Sequence, residues 1–346
     1  MPTWRQGIAV GEWRQIPGTA LSSAPMAVQT YPGLGNTGPN SKVVAWTGFS
    51  IDTRDSSIYS AANGGHSDYA GNEVDRIRLS DNAPVWTEPR PSSLASQISV
   101  NTAHYADGRP TSRHTYYGSV FNEVRGRAMI LGGARYGDGF MAASFDGFNL
   151  ANSDWDSAGT YPDVFGEFTN MQGAAVTLDK PTGNVYVFAN FNVLRWSNAS
   201  NTWSRLLTST SIYGQYAATA MDTRRNRILV VGGNVNDHGV YDATANSIQS
   251  VSFTGPNASV MTGDTGNGMV YDPVLDAFLL RKAGAGGTIY RINAQTFSVD
   301  VLPTTSGDQL PAAPNSVWTR FLQVPNLKGV IYFPTYTGNA WFLRTN

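Results

Sequence analysis

Short apolar runs recur along the chain, and each follows a polar turn. In residues 221–233 (MDTRRNRILVVGG), an aspartate opens the turn, an apolar run follows it, and two glycines end the run. Aspartate, asparagine and proline favour turns through local hydrogen bonds or a fixed φ. A short apolar run bounded by turn residues indicates a buried β-strand. The same pattern occurs at 51–65, 121–133, 178–190, 271–282 and 324–335.

The spacing of these turns indicates repeated units of similar length. The residues that open them are separated by 70, 57, 43, 50 and 53 positions: Asp52, Asn122, Asp179, Asp222, Asp272 and Pro325. Repeats of about 40–50 residues are typical of propeller blades, which stack on one another to bury their faces. We therefore predict a single all-β domain over 1–346, a six-bladed β-propeller, with seven blades as the alternative.

The sixth unit has Trp341 and Phe342 but no further strand before Asn346. Residues 13–17 (WRQIP) resemble 203–207 (WSRLL), an outer strand of another unit. An N-terminal strand in that place would close the ring and leave no sheet edge exposed. A closing strand and coil over 1–42 are thus predicted to precede blades at about 43–89, 113–160, 172–210, 215–253, 267–303 and 318–346 plus 13–17.

Most units carry an aromatic strand and then a tryptophan after the glycine pair, as Phe145 and Trp155 do. In this pattern the chain resembles the kelch-repeat (galactose oxidase-like) propellers over nearly its whole length. It departs from them at 189–190, 281–282 and 334–335, where other residues replace the glycine pair. The resemblance implies the fold and leaves the function open, because kelch rings serve as oxidases, lyases and binding platforms.

Composition narrows the functional classes. Only 14% of the residues are charged and the net charge is −1, so nothing favours nucleic acid or an anionic membrane surface as a partner. The absence of cysteine excludes disulfides, thiolate metal ligands and cysteine nucleophiles. It also excludes the copper-radical cofactor of some kelch relatives, which requires a Cys–Tyr crosslink. Nine Trp and sixteen Tyr are common where sugars bind, and we expect a polysaccharide or oligosaccharide partner.

The N-terminal segment MPTWRQGIAV lacks the basic start and apolar run of a signal peptide. No apolar stretch approaches the ~20 residues that span a bilayer, so membrane insertion is not expected. We expect an extracellular or periplasmic protein whose signal precedes the numbering, with a cytoplasmic or phage-borne protein as the alternative.

Strand direction alternates within a four-stranded blade, so the loops after the second strands share one rim with the loops between blades. We call this the histidine rim, because all four histidines are predicted to lie on it. Blades one and two contribute His66, Asp68, Tyr69, His104, Arg113 and His114. The further candidates on this rim are Arg135, Tyr136, His238, Trp318 and Tyr336.

Residues 112–117 (SRHTYY) are predicted to enter the innermost strand of blade two. Alternation along a strand would turn His114 and Tyr116 to one side and Arg113 to the other. Histidine, tyrosine and arginine are what β-elimination on a uronic-acid polymer requires: a cation neutralises the carboxylate, a base takes the C5 proton, and an acid protonates the leaving oxygen. In residue types, though not in spacing, the chain is distantly similar to propeller-fold polysaccharide lyases.

We therefore predict a carbohydrate-active propeller that cleaves an acidic polysaccharide by β-elimination, without a cofactor or metal. The catalytic roles fall to His66 or His114 as base, Tyr116 or Tyr69 as acid, and Arg113 or Arg135 as the carboxylate partner. Predicted substrate-binding residues are Asp68, His104, Arg135, Tyr136, His238, Trp318 and Tyr336.

The alternative is a non-catalytic module that binds a glycan or a protein at a cell surface or in a phage tail. Trp318 and Tyr336 would then stack on sugars. A metal-dependent enzyme is a third hypothesis, because His66, His104 and His114 offer three imidazoles as metal ligands. Their spacing matches no local metal-binding motif, and no metal ligand is predicted.

Overall fold

The structure, a computed structural model, describes residues 1–25, 34–164, 172–208, 211–306 and 309–346. Within these ranges, six antiparallel sheets of four strands each surround a common axis. The fold is therefore the all-β, six-bladed propeller that the repeats predict, and the seven-bladed alternative is not adopted. The predicted ranges 1–42 and 172–210 each include residues outside this description.

The chain fills the blades in order after the closing strand β1 (Trp13–Gln15). Blade one contains β2 (Ser50–Asp52), β3 (Ser57–Ala61), β4 (Val74–Arg78) and β5 (Trp86–Arg90). Blade two contains β7 (Ser119–Asn122), β8 (Arg127–Leu131), β10 (Phe145–Asn149) and β11 (Asp154–Trp155), with a separate ribbon of β6 (Arg113–His114) and β9 (Ala134–Arg135). Blade three contains β12 (Ala175–Asp179), β13 (Asn184–Ala189), β14 (Asn192–Ser197) and β15 (Thr202–Thr208).

Blade four contains β16 (Ala217–Asp222), β17 (Arg227–Gly232), β18 (Asp237–Asp242) and β19 (Ser247–Ser250). Blade five contains β20 (Gly268–Asp272), β21 (Ala277–Arg281), β22 (Tyr290–Asn293) and β23 (Val299–Val301). Blade six contains β24 (Phe321–Val324), β25 (Gly329–Tyr332) and β26 (Trp341–Arg344), and β1 completes it.

Helical structure among the described residues is confined to short turns. The helix α1 (Ser41–Val44) precedes blade one. The 3-10 turns are Thr3–Arg5, Leu21–Ser23, Gly38–Asn40, Ala95–Gln97, Ala258–Val260, Trp318–Arg320 and Pro325–Leu327. Within the described ranges, no helix has the length and apolar character needed to cross a membrane.

The core lies between neighbouring blades. The second strands, such as β13 and β17, are apolar along nearly their whole length because other blades cover both of their faces. Trp196 of blade three packs its ring edge-on against Phe145 of blade two, with 5.1 Å between the ring centroids. Because every blade packs on two neighbours in this way, the ring is stable only when it is complete.

The N-terminal strand closes the ring, as the sequence predicts. β1 pairs antiparallel with β26, with Trp13 opposite Leu343 and Gln15 opposite Trp341. Trp13 is buried, and its indole Nε1 donates a hydrogen bond to the carbonyl oxygen of Gly287 in blade five, at 3.2 Å. The strand therefore supplies the missing edge of blade six and also holds the adjoining blade.

One sequence prediction about blade two is wrong. Residues 112–117 do not form its innermost strand, which is β7. Only Arg113 and His114 are extended, and they pair with β9 in the separate ribbon. Tyr116 has a φ of 49°, which turns the chain sharply before β7 begins. Strand alternation therefore does not decide where Tyr116 and the residues beside it point.

Backbone hydrogen bonds join neighbouring segments that lead into the inner strands β2, β7, β12, β16, β20 and β24. The exception among the described residues is the junction of blades two and three, where the side chain of Gln172 bonds to the hydroxyl of Tyr116 instead. The amide of Tyr116 donates to the carbonyl of Trp46 at 2.8 Å, and the amide of Tyr216 donates to that of Gly173 at 2.7 Å. Similar bonds link blades four, five and six, and the amide of Phe49 donates across the ring closure to Thr319 at 3.4 Å. We call this set of segments and bonds the axial belt; its residues with positive φ are Trp46, Tyr116, Gly173, Tyr216, Gly266 and Trp318.

Replacing the closing tryptophan tests the ring closure. We expect Trp13→Ala to lower the free energy of unfolding by about 3–5 kcal/mol, because it empties a buried site between two blades. Urea unfolding monitored by circular dichroism measures this. The matched control is Val10→Ala in the same segment, whose side chain is exposed and whose loss should cost less than about 0.5 kcal/mol. Equal effects of the two substitutions would contradict the closure.

Candidate functional site

A histidine–aspartate pair lies on the histidine rim between blades one and two. The ribbon of β6 and β9 carries His114, and the loop after β3 carries Asp68. Gly65, with a φ of 61°, lets this loop lie against β6, because a Cβ there would stand only 2.2 Å from the backbone nitrogen of His114. His114 Nε2 and Asp68 Oδ2 are 2.8 Å apart, within hydrogen-bond distance.

The surroundings of this pair favour a neutral imidazole beside a carboxylate. Burial lowers the pKa of His114, and the hydrogen bond with Asp68 offsets only part of that effect. The same hydrogen bond lowers the pKa of Asp68, against a smaller effect of burial. A neutral His114 that donates its Nε2 proton to a carboxylate has Nδ1 as its proton acceptor. Thr37 holds the other oxygen of Asp68 through its hydroxyl, at 2.7 Å.

His66 is the exposed partner of this pair. Its ring stands edge-on to that of His114, with 5.8 Å between the centroids. The loop after β8 holds it in place: the amide of Gly137 donates to the carbonyl of His66 at 2.7 Å. Gly139 packs directly on the imidazole, and a Cβ there would approach the ring to 2.5 Å. Two imidazoles, one exposed and one buried, therefore meet at this rim.

Aromatic rings surround the histidines. Trp46 is 39% exposed, and its ring lies 5.1 Å from that of His114. Tyr116 is buried and its ring lies 6.1 Å from His114 on another side. Burial raises the pKa of Tyr116, and its hydroxyl accepts a hydrogen bond from the exposed Gln172 at 3.4 Å. A sugar ring could stack on Trp46 while it contacts the imidazoles.

Arg113 is held inside the protein rather than on the rim surface. Its guanidinium is fully buried, and its Nη2 lies 2.7 Å from Oδ2 of Asp146 and 2.7 Å from Ser144 Oγ. His104 Nε2 binds the other oxygen of Asp146 at 2.7 Å. Burial alone would raise the pKa of Asp146, but the Arg113 charge and the His104 hydrogen bond together lower it. These residues form an internal network that holds β6 in place.

Tyr69 also points away from the rim surface. It is buried, and its hydroxyl donates a hydrogen bond to Glu73 Oε1 at 3.0 Å. Glu73 and Asp75 share the buried ammonium of Lys42, at 2.9 and 2.6 Å. Burial raises the pKa of Tyr69, and the carboxylate of Glu73 raises it further. The hydroxyl is thus part of a buried network beneath the loop that carries the two site residues.

The remaining predicted site residues differ in their exposure and in the residues that they contact. Arg135 is partly exposed and lies on β9, where it forms a two-bond ion pair with Asp138 at 2.9 and 2.7 Å. His238 is on blade four and packs on Phe253 at 5.0 Å. Tyr136 and Trp318 are buried, and Tyr336 is half-buried beside Lys42.

His66, His104 and His114 do not share a metal site. The first and last of these are neighbours, whereas His104 binds Asp146. Among the described residues, no group of three or more His, Asp or Glu side chains could hold a metal ion.

Sequence reasoning missed two residues of this site. Trp46 lies just before the first strand of blade one, in a stretch whose sequence predicts coil. Its backbone has a positive φ of 51°, and its ring contacts that of His114. Asp146 lies within β10, where nothing in the local pattern distinguishes it from other strand residues. Because Asp146 and Arg113 are distant in the chain, no local signal in the sequence could have found their contact.

No protein-family model matches the chain, and no curated protein matches it. Among solved structures, it is similar to one described as "Crystal structure of Nidogen/Laminin Complex". The identity is 8%, the match covers 74% of this chain and 78% of that chain, and the TM-score is 0.44. A likeness this distant says nothing about what this chain binds.

The buried network around Arg113 predicts that replacing two different aspartates will change the free energy of unfolding by very different amounts. We expect Asp146→Ala to lower the free energy of unfolding by about 3–5 kcal/mol, because it leaves the Arg113 charge buried without a partner. The matched control is Asp138→Ala, which breaks the more exposed pair with Arg135 and should cost about 0–1 kcal/mol. Urea unfolding measures both, and similar losses would mean that Arg113 is not held as described.

The burial of His114 predicts how stability varies with pH. An unfolded histidine binds a proton near pH 6.5, whereas folded His114 binds one only at lower pH. Between those pH values the unfolded state holds more protons, so the free energy of unfolding falls as the pH is lowered through this window. His114→Gln should flatten this slope. His238→Gln should flatten it too, because burial also lowers the pKa of His238. Urea unfolding across pH measures this. If the free energy of unfolding of His114→Gln varied with pH as it does in the wild type, His114 would not be the group responsible.

Proposed function

We propose that the chain is a kelch-type, carbohydrate-active propeller that cleaves an acidic polysaccharide by β-elimination. The site is the histidine rim of blades one and two. The observation that supports this most directly is the hydrogen-bonded pair of His114 and Asp68, with the exposed His66 5.8 Å from the buried imidazole. Two imidazoles side by side, one of them oriented by a carboxylate, are groups suited to general acid–base catalysis.

In the proposed reaction His114 is the base. Asp68 binds its Nε2 proton and so leaves Nδ1 to remove the C5 proton of the uronate. The electron pair of that C–H bond forms the C4–C5 double bond, and the bond from C4 to the leaving oxygen breaks. That oxygen takes a proton from Tyr116 or from His66, both of which adjoin His114. Proton transfers by positioned groups typically contribute about 10²- to 10⁴-fold in rate.

The carboxylate partner in this proposal is Arg135 rather than Arg113. Arg113 is fully buried and bound to Asp146, so it has no free face for a substrate. Arg135 lies directly opposite it in the ribbon and keeps part of its side chain exposed. For the same reason Tyr69, bonded to Glu73 inside the protein, is not proposed as the acid. Trp46 supplies a flat apolar surface on which a sugar ring stacks.

A second candidate function is glycan binding without turnover. The observation that favours it is the ion pair between Arg135 and Asp138, which leaves the arginine neutralised in the structure described. A lyase needs an uncompensated positive charge beside the uronate, whereas a binding site needs only hydrogen bonds and a stacking surface. Either function places the protein where polymers are found, and we propose an extracellular or periplasmic location.

The lyase proposal is tested with a panel of uronic-acid polymers. The wild-type chain should release an unsaturated product that absorbs in the ultraviolet, and His114→Gln should lower kcat/KM by about 10²- to 10⁴-fold. Asp68→Asn should lower kcat more than it changes KM and should shift the pH profile, because the amide no longer orients the imidazole. His238→Gln on blade four is the matched control and should stay within about twofold of wild type.

The outcomes separate the two candidates. Binding on a glycan array with no unsaturated product from any polymer supports the non-catalytic module and refutes the lyase. If both His114→Gln and His66→Gln kept full activity, the active site would not lie at the histidine rim. Circular dichroism of each variant confirms that a lost activity is not a lost fold.

A further inference from the structure

A cavity lies on the axis of the propeller, away from the histidine pair. This cavity, of about 300 Å³, is enclosed by the inner strands of all six blades. Most of the side chains that line it are apolar, including Val120, Val176, Met221, Met269 and Leu322. Its volume is that of about ten water molecules. Serine and threonine side chains such as Ser119 and Thr177 interrupt this lining. A mostly apolar cavity of this size with some polar groups is typical of a small-molecule site.

Aromatic side chains close the cavity toward the histidine rim. Tyr117 of blade two is buried, and its hydroxyl donates to the carbonyl oxygen of Asn267 in blade five at 2.7 Å. Blades two and five are opposite each other in a ring of six, so this side chain crosses the axis. The ring of Trp318 from blade six packs edge-on against it at 4.9 Å. The axial cavity and the histidine pair therefore lie on different sides of this aromatic plug.

The cavity opens at the other rim, among the turns between the first and second strands. Thr53, Lys180, Thr223, Pro273 and Pro325 line it there, and each follows the end of an inner strand. We call this end the turn rim. The mouth is thus more polar than the shaft, and it carries one positively charged side chain.

That side chain, Lys180, has no ion-pair partner in the described part of the chain. The two acids that act on it electrostatically, Glu123 and Asp52, are both engaged elsewhere. Glu123 accepts a hydrogen bond from the amide of Thr53 at 2.9 Å, and Asp52 pairs with Arg54 at 2.7 Å. Burial lowers the pKa of Lys180, and the charges of Glu123 and Asp52 offset only part of that effect. An anion at the mouth would offset more of it.

We propose that the axial cavity binds an amphiphilic monoanion, with its carboxylate on Lys180 and its hydrocarbon chain in the apolar shaft. A free carboxylic acid of medium chain length has this form. The mostly apolar lining does not suit a polysaccharide, so this site is separate from the proposed lyase site and does not depend on it. The ammonium gives the site its charge preference and the apolar walls give it chain-length preference.

The test is titration calorimetry of the full chain with octanoate, octanol and octylammonium. Octanoate should bind more tightly than octanol, and octylammonium should not bind measurably. Shortening the acid by one methylene should weaken binding about fourfold, because each buried methylene contributes a fixed transfer energy. No saturable octanoate binding to the wild-type chain would overturn the proposal.

Variants locate the binding on the axis. Lys180→Met should weaken octanoate binding at least tenfold and leave octanol binding unchanged, whereas Lys180→Arg should retain octanoate. Lys328→Met is the matched control, because Lys328 is an exposed lysine in a turn of blade six on the same rim. Ala220→Leu should block octanoate and octanol alike, since Ala220 lines the shaft. Equal octanoate affinity in Lys180→Met and wild type would overturn the role of Lys180 as the carboxylate partner. Unchanged polymer cleavage in Lys180→Met would show that this site and the proposed lyase site are independent.

Discussion

The structure depends on six inner strands that meet around one axis. The axial belt of backbone hydrogen bonds joins most of their starting points, and a side-chain bond from Gln172 to Tyr116 joins those of blades two and three. The belt requires a positive φ in every segment that leads into an inner strand. Two of those positions are Gly173 and Gly266, where this conformation carries no steric cost. At Tyr116, Tyr216 and Trp318 it costs about 1–3 kcal/mol each, which the surrounding packing must offset. The rings of these three residues pack on one another, and Trp318 also packs on Tyr117.

Buried charge holds the rim of blades one and two in place. Arg113 and Asp146 fix the ribbon that carries His114, while Lys42 with its two acidic partners lies under the loop that carries Asp68. Buried ion pairs contribute little net stability, because desolvation offsets most of their attraction. Removing one partner is costly, however, so the geometry around each pair is strongly specified. The position of the histidine pair therefore depends on buried charges that lie away from the rim surface.

The aromatic plug divides the molecule into two ends with different chemistry. The histidine rim presents imidazoles, a carboxylate and an exposed indole, which suit a polar polymer. The turn rim opens into an apolar shaft with a single ammonium at its mouth. The crossing hydrogen bond from Tyr117 to Asn267 keeps the two ends apart. A propeller can thus present different chemistry at its two ends, because its inner strands and the loops around them expose different residues at each end.

Local patterns in the sequence determined the number of blades, the closing strand and the rim on which His66, His114 and Asp68 meet. Turn chemistry and the alternating direction of strands act over a few residues, so they are readable without coordinates. Only the tertiary structure decided that Arg113 and Tyr69 point inward, that Trp46 adjoins the histidines, and that Lys180 lines the mouth of an axial cavity. Those outcomes depend on partners distant in the chain and on φ values in irregular segments, where no period constrains the direction of a side chain.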